Sequence, residues 1–137
     1  MRRAAFLYVL LLLCISRVEA QSLEVVSAGP IGQLDNLARA SEIRVTFSEP
    51  MVAVGKTASV ITIPFLKIEP VISGTFRWAG TSTLVLTPSR PLPFSTTYRV
   101  TVAAVAKSVA GQTLASPYTF SFTTPQMSIV TVSYTHL

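Results

Sequence analysis

The chain has 137 residues, half of them hydrophobic and 12% charged, with a formal net charge of +5, one cysteine and one histidine. That length allows a single folded core and leaves no room for two full domains. One cysteine cannot make an intrachain disulfide, and bases spaced singly from Arg39 to Lys107 do not form the clustered patch that nucleic-acid binding needs.

The first twenty residues read as a secretory signal. Arg2 and Arg3 supply the positive end, Phe6 to Ile15 the apolar stretch, and Val18-Glu19-Ala20 a small-residue cleavage site before Gln21. The apolar run is too short for a stable membrane anchor, so the processed chain is expected to insert in no membrane. Cys14 follows Leu13, where acylation wants a small residue, and a lipid anchor is therefore not expected. Cleavage after Ala20 removes Arg2, Arg3, Arg17 and Glu19, lowers the charge from +5 to +3, and leaves 117 of the 137 residues without a thiol. The expected location is secreted, periplasmic or cell-envelope.

From Gln21 to Pro125 the pattern is that of strands. Ile43, Val45 and Phe47 alternate with Arg44 and Thr46; Tyr98, Val100 and Val102 with Arg99 and Thr101; Tyr118, Phe120 and Phe122 with Thr119, Ser121 and Thr123. Alternation every second residue marks a half-buried strand. Further strands are read at Leu23 to Val26, Val60 to Ile63, Lys67 to Ile72, Thr75 to Trp78 and Thr83 to Thr87, rich in β-branched and aromatic residues. Turn signals fall at Gly29-Pro30, Glu49-Pro50, Gly74, Ala79-Gly80, Pro88 to Pro93 and Gly111, and Arg77 to Ser82 reads as a tight hairpin around Gly80. Gln33 to Ala40 and Ala103 to Ala110 are too short to be stable helices and read as loop. Seven to eight short antiparallel strands in about a hundred residues are the pattern of an all-β, immunoglobulin-like β-sandwich.

The residues offer little for catalysis. Without a cysteine in the processed chain, and with the one histidine, His136, in the last six residues, which resemble a translated sequencing adaptor, Ser-His and Cys-His arrangements are excluded. Glu24, Asp35, Glu42, Glu49 and Glu69 stand alone in sequence and read as solvated side chains. Asp35-Asn36 lacks the further oxygen ligands that calcium requires. Serines and threonines fall at turns or on outward strand positions. Trp78, beside the Gly80 turn, reads as a core residue with Arg77 on the opposite face, and not as an exposed anchor. No enzyme activity and no cofactor are expected.

The final residues, Val132-Ser133-Tyr134-Thr135-His136-Leu137, resemble a translated sequencing adaptor, with 126–131 read as a linker or the start of a next domain. Four stretches taken together carry a further resemblance. They are Ile43 to Met51, with its Phe47-Ser48-Glu49-Pro50 element; Thr83 to Pro88, including Leu84; Pro91 to Val102, including Tyr98; and Phe120-Ser121-Phe122-Thr123-Thr124-Pro125. In this order they resemble bacterial Ig-like domains of the SbsA type over residues 22–125. The block Ile68-Glu69-Pro70, then Gly74 to Leu84, is similar to the N-terminal Ig-like region of bacterial α2-macroglobulin-like proteins. That resemblance implies a non-catalytic opening module of an envelope protease trap, touching the other domains of its parent and proteases only through them. It also implies that the bait segment and thioester lie elsewhere, since no Cys-Glu-Gln occurs here. An Ig-like spacer of a surface-layer, adhesin or polysaccharide-associated protein is the alternative.

Overall fold

Side chains that alternate in polarity give each strand one face to bury, and two such faces closed on each other make a core. The computed structural model describes residues 22–55 and 63–128. Ala20 and Gln21, most of the strand read at Val60 to Ile63, and the tail from 129 onward lie outside the described residues.

Eight strands form among the described residues: β1 (Val25–Gly29), β2 (Gly32–Gln33), β3 (Ile43–Phe47), β4 (Leu66–Glu69), β5 (Gly74–Ala79), β6 (Thr83–Pro88), β7 (Thr97–Val102) and β8 (Tyr118–Thr123). They make two four-stranded sheets, ordered β1-β3-β6-β5 and β2-β8-β7-β4. This is the immunoglobulin division of strands, with the first strand split between the sheets at Gly29-Pro30, a cis bond. One pairing departs from the antiparallel expectation: β2 runs parallel to β8. The chain has already turned over to the second sheet there, and it joins the last strand in the same direction.

Inward residues from both sheets meet in one core. Ile43, Val45 and Phe47 of β3, Leu84 and Leu86 of β6, Tyr98, Val100 and Val102 of β7, and Phe120 and Phe122 of β8 are all buried. Tyr98 stacks on Phe122 with ring centroids 5.3 Å apart, and Phe47 meets Phe65 edge-on at 6.2 Å. Such aromatic pairs contribute beyond the area they bury.

Several local expectations shift. The first strand begins at Val25, not Leu23. Leu23 instead makes an isolated bridge to Leu114 and is buried there. Gly74, read as a turn signal, opens β5. A Cβ there would run into the Thr87 carbonyl and come within 2.8 Å of Leu86 Cδ1, so the glycine permits the close approach of β5 to β6. Within Gln33 to Ala40 a 3-10 turn forms at Leu37–Ala40, capped by the Asn36 side chain, which accepts from the Ala38 N–H at 2.8 Å. Gly80 takes the left-handed conformation in the three-residue loop between β5 and β6, at φ 71°.

The pairings also fix two poles. At one pole lie Leu23, the loop after β3, the Gly80 hairpin and the loop between β7 and β8. The Phe65 carbonyl accepts from Ala103 at 2.8 Å and the Pro50 carbonyl from Val109 at 2.8 Å, which ties these loops together. At the other pole lie the β4–β5 and β6–β7 loops and the exit of β8, where the Pro125 carbonyl accepts from Ser95 at 2.9 Å. The described chain thus enters at one pole and leaves at the other.

Candidate interaction surfaces

Three of the five acids that stand alone in sequence, Asp35, Glu42 and Glu69, pair with bases in space. Asp35 meets Arg39 at 3.5 Å and Glu69 meets Lys67 at 2.7 Å. Glu42 bridges Arg44 and Arg77, with Arg77 at 2.8 Å. Hydrogen bonds from Arg44 and then Arg77 hold the Glu42 carboxyl below its ordinary range, and the Lys67 ammonium does the same to Glu69. Burial pushes the Tyr98 phenol up. Among the described residues no three of His, Cys, Asp and Glu come together as a metal site.

The Glu42 cluster was not readable from spacing alone. Arg44 and Arg77 both stand opposite Val85 in the β3–β6–β5 register, on the outer face of the sheet. Val85 is fully buried although it faces away from the core, because the two arginine stems and Glu42 roof it. The one readable sign was an outward arginine on each of two strands, one of them beside Trp78.

The residues singled out from sequence fall into structural positions. Phe47, Trp78, Leu84, Tyr98, Phe120 and Phe122 are buried. Trp78 packs 6.4 Å from Phe47 and is not an exposed platform. Gly80 shapes the hairpin. Pro50 is exposed and acts through its carbonyl.

One buried polar residue stands out at the exit pole. Thr124 is fully buried. Its hydroxyl donates to the Pro93 carbonyl at 2.6 Å and accepts from the Thr96 N–H at 2.9 Å. Its own N–H donates to the Thr96 carbonyl at 2.9 Å, and its carbonyl accepts from the Gln33 amide at 3.2 Å. The chain is therefore clamped to the proline-rich loop and to β2 just before it leaves.

The surface divides by location. The outer face of the second sheet carries Lys67, Glu69 and Arg99 with cross-strand hydroxyl pairs Thr97–Thr123 (2.8 Å) and Thr101–Thr119 (3.3 Å). Exposed apolar side chains also occur at the poles. Val54, Val105 and Val109 are exposed at the entry pole, and Val71, Phe94 and Met127 at the exit pole. Open grooves of about 430 and 640 Å³ flank the proline-rich loop, the larger one between Val71 and Tyr98. Neither brings together paired carboxylates or a nucleophile with a base.

A family model described as bacterial Ig-like domain matches residues 19–124. A search of curated proteins finds no match to the chain. Domains of the matched kind are generally non-catalytic structural modules and occur in extracellular bacterial proteins. No helix among the described residues is long and apolar enough to cross a membrane.

Proposed function

Because the chain belongs to the bacterial Ig-like domain family, we propose that it serves as a non-catalytic spacer and interaction module, set in series with other domains of an exported bacterial protein. The observation that carries this reading is that the two ends of the sandwich lie at opposite poles. Leu23 is pinned at one pole and Thr124 at the other. Six-residue strands rise about 20 Å between the poles, so the module extends its parent by at least that length beyond the next domain. The exit toward a following domain is held by the Thr124 hydrogen bonds. Apolar residues at both poles supply contact area for adjoining domains.

Within this role the leading parent is an envelope-associated α2-macroglobulin-like protease trap of which this is the N-terminal module, on the strength of Gly74 to Leu84. That block builds the β5–β6 hairpin, with Trp78 and Leu84 in the core and Gly80 at the turn. Secretion rests on residues 1–20. The gene of the parent tests the lineage: further β-domains with a Cys-Glu-Gln motif support the trap, and repeated Ig-like units or a catalytic domain support a surface-layer or polysaccharide-associated protein instead. The spacer role is tested by small-angle scattering of the parent with and without residues 22–125. Deletion shortens its maximum dimension by at least about 20 Å; an unchanged dimension refutes the role.

A further inference from the structure

A sandwich with two open sheets has four edge strands, and each edge offers unpaired backbone groups to any other strand. Three of the four are guarded. β1 carries a bulge between Val25 and Ser27 and ends at Pro30. β2 is two residues long. β4 is four residues long, presents the Lys67–Glu69 ion pair and stops at Pro70. Short strands, bulges, charges and prolines are the usual protections of an edge.

β5 has none of them. It runs six residues in unbroken register with β6 and contains no proline. Its single charge does not guard the edge, because Arg77 reaches across β6 to Glu42 at 2.8 Å, away from the open side. No described strand pairs with its free side. Phe76, on the inner face of this strand, is left half-buried where the core meets the edge.

We propose that the β5 edge pairs antiparallel with β5 of a second copy of this chain, joining the two first sheets into one of eight strands. The strand is self-complementary in the register centred on Phe76. Centred on Phe76, it sets Phe76 against its own counterpart under the joined sheet, Gly74 against the bulky Trp78 of the other copy, and Thr75 against Arg77. Centred on Arg77, it sets the two arginines face to face, which is destabilising. A one-residue slip places Phe76 opposite a charged side chain and turns one sandwich over. A single strand pair covers a small area, so the association is of the weak, transient class. It brings modules together where copies are concentrated.

The register makes the test specific. In full-length chain with Cys14→Ser, which removes the one cysteine, Thr75→Cys and Arg77→Cys variants are prepared separately with tags of different mass. They are mixed at about 100 µM, a concentration suited to weak association, and oxidised gently. The expected result is a mixed Thr75/Arg77 disulfide about tenfold more abundant than either self-disulfide, one factor of ten in pairing preference. Lys67→Cys on the guarded β4 edge gives only background. Arg77→Cys removes a bridge to Glu42, so Ser73→Cys mixed with Ala79→Cys repeats the test on the same face without touching that cluster. Equal yields of mixed and self-disulfides, no cross-link from either pair, or equal cross-linking at Lys67 overturns the proposal. So does a sedimentation profile of the unsubstituted chain that stays monomeric to about 1 mM.

Discussion

Replacing Thr124 by valine keeps the side-chain shape and removes one hydroxyl. In the folded protein that hydroxyl satisfies two backbone groups of the β6–β7 loop, the Pro93 carbonyl at 2.6 Å and the Thr96 N–H at 2.9 Å, at a position with no exposure. A buried backbone group left without a partner costs about 1–3 kcal/mol. Part of this is offset because the hydroxyl no longer has to be desolvated, so the net loss is set at about 2 kcal/mol. For a domain of this size each kcal/mol moves the melting temperature by about 4 °C, and Thr124→Val is expected to melt about 8 °C lower. Thr124→Ser keeps the hydroxyl and loses one methyl group, about 1 kcal/mol. Urea denaturation followed by far-ultraviolet circular dichroism orders the variants: wild type, then serine, then valine. Burial of apolar surface alone predicts the reverse order for the two substitutions. A valine variant within about 0.5 kcal/mol of wild type, or more stable than the serine variant, refutes the clamp.

Glycine positions 74 and 80 separate two causes of strain. Gly80→Ala meets open space and suffers only its positive φ, costing about 1 kcal/mol. Gly74→Ala pushes a methyl group into the Thr87 carbonyl and the Leu86 side chain and costs more, about 1–3 kcal/mol. Equal losses in denaturant titrations sink that distinction. The one tryptophan, Trp78, lies against Phe47, so its fluorescence in the folded protein is expected to be blue-shifted and resistant to iodide; a red, readily quenched emission contradicts the packing. Glu42 is held ionised by Arg44 and Arg77 and its carboxyl lies below the ordinary value of 4.5. A depressed folded pKa means that the stabilisation is present above pH 4.5 and is lost as pH falls through the lower folded value. Glu42→Gln is therefore expected to lower stability at pH 7 and to flatten the acid limb of the stability profile. A variant with the same slope as wild type below pH 4.5 removes Glu42 from that role.

The strand alternation in β3, β7 and β8 was legible because one face of each is buried and the other wet, which is what a period of two reports. Trp78 was legible for the same reason, by parity with Phe76 and against Arg77. The end of the parallel pairing was not. β2 is two residues long, and its Gly32-Gln33 gives no alternation to read. Gly74 reads as a turn signal because glycine serves both turns and close strand contacts, and sequence does not distinguish them. Register explains the rest. Arg44 and Arg77 meet over Val85 only because both strands flank β6 at one level, and Thr124 becomes a clamp only because the β6–β7 loop folds back over it. Neither fact resides in a local pattern. The same holds for the β5 edge, because no local pattern shows that Arg77 is engaged by a carboxylate on the far side of β6. In the fold Glu42 draws it across the sheet, so the one charge of β5 is turned away from the edge with which no described strand pairs.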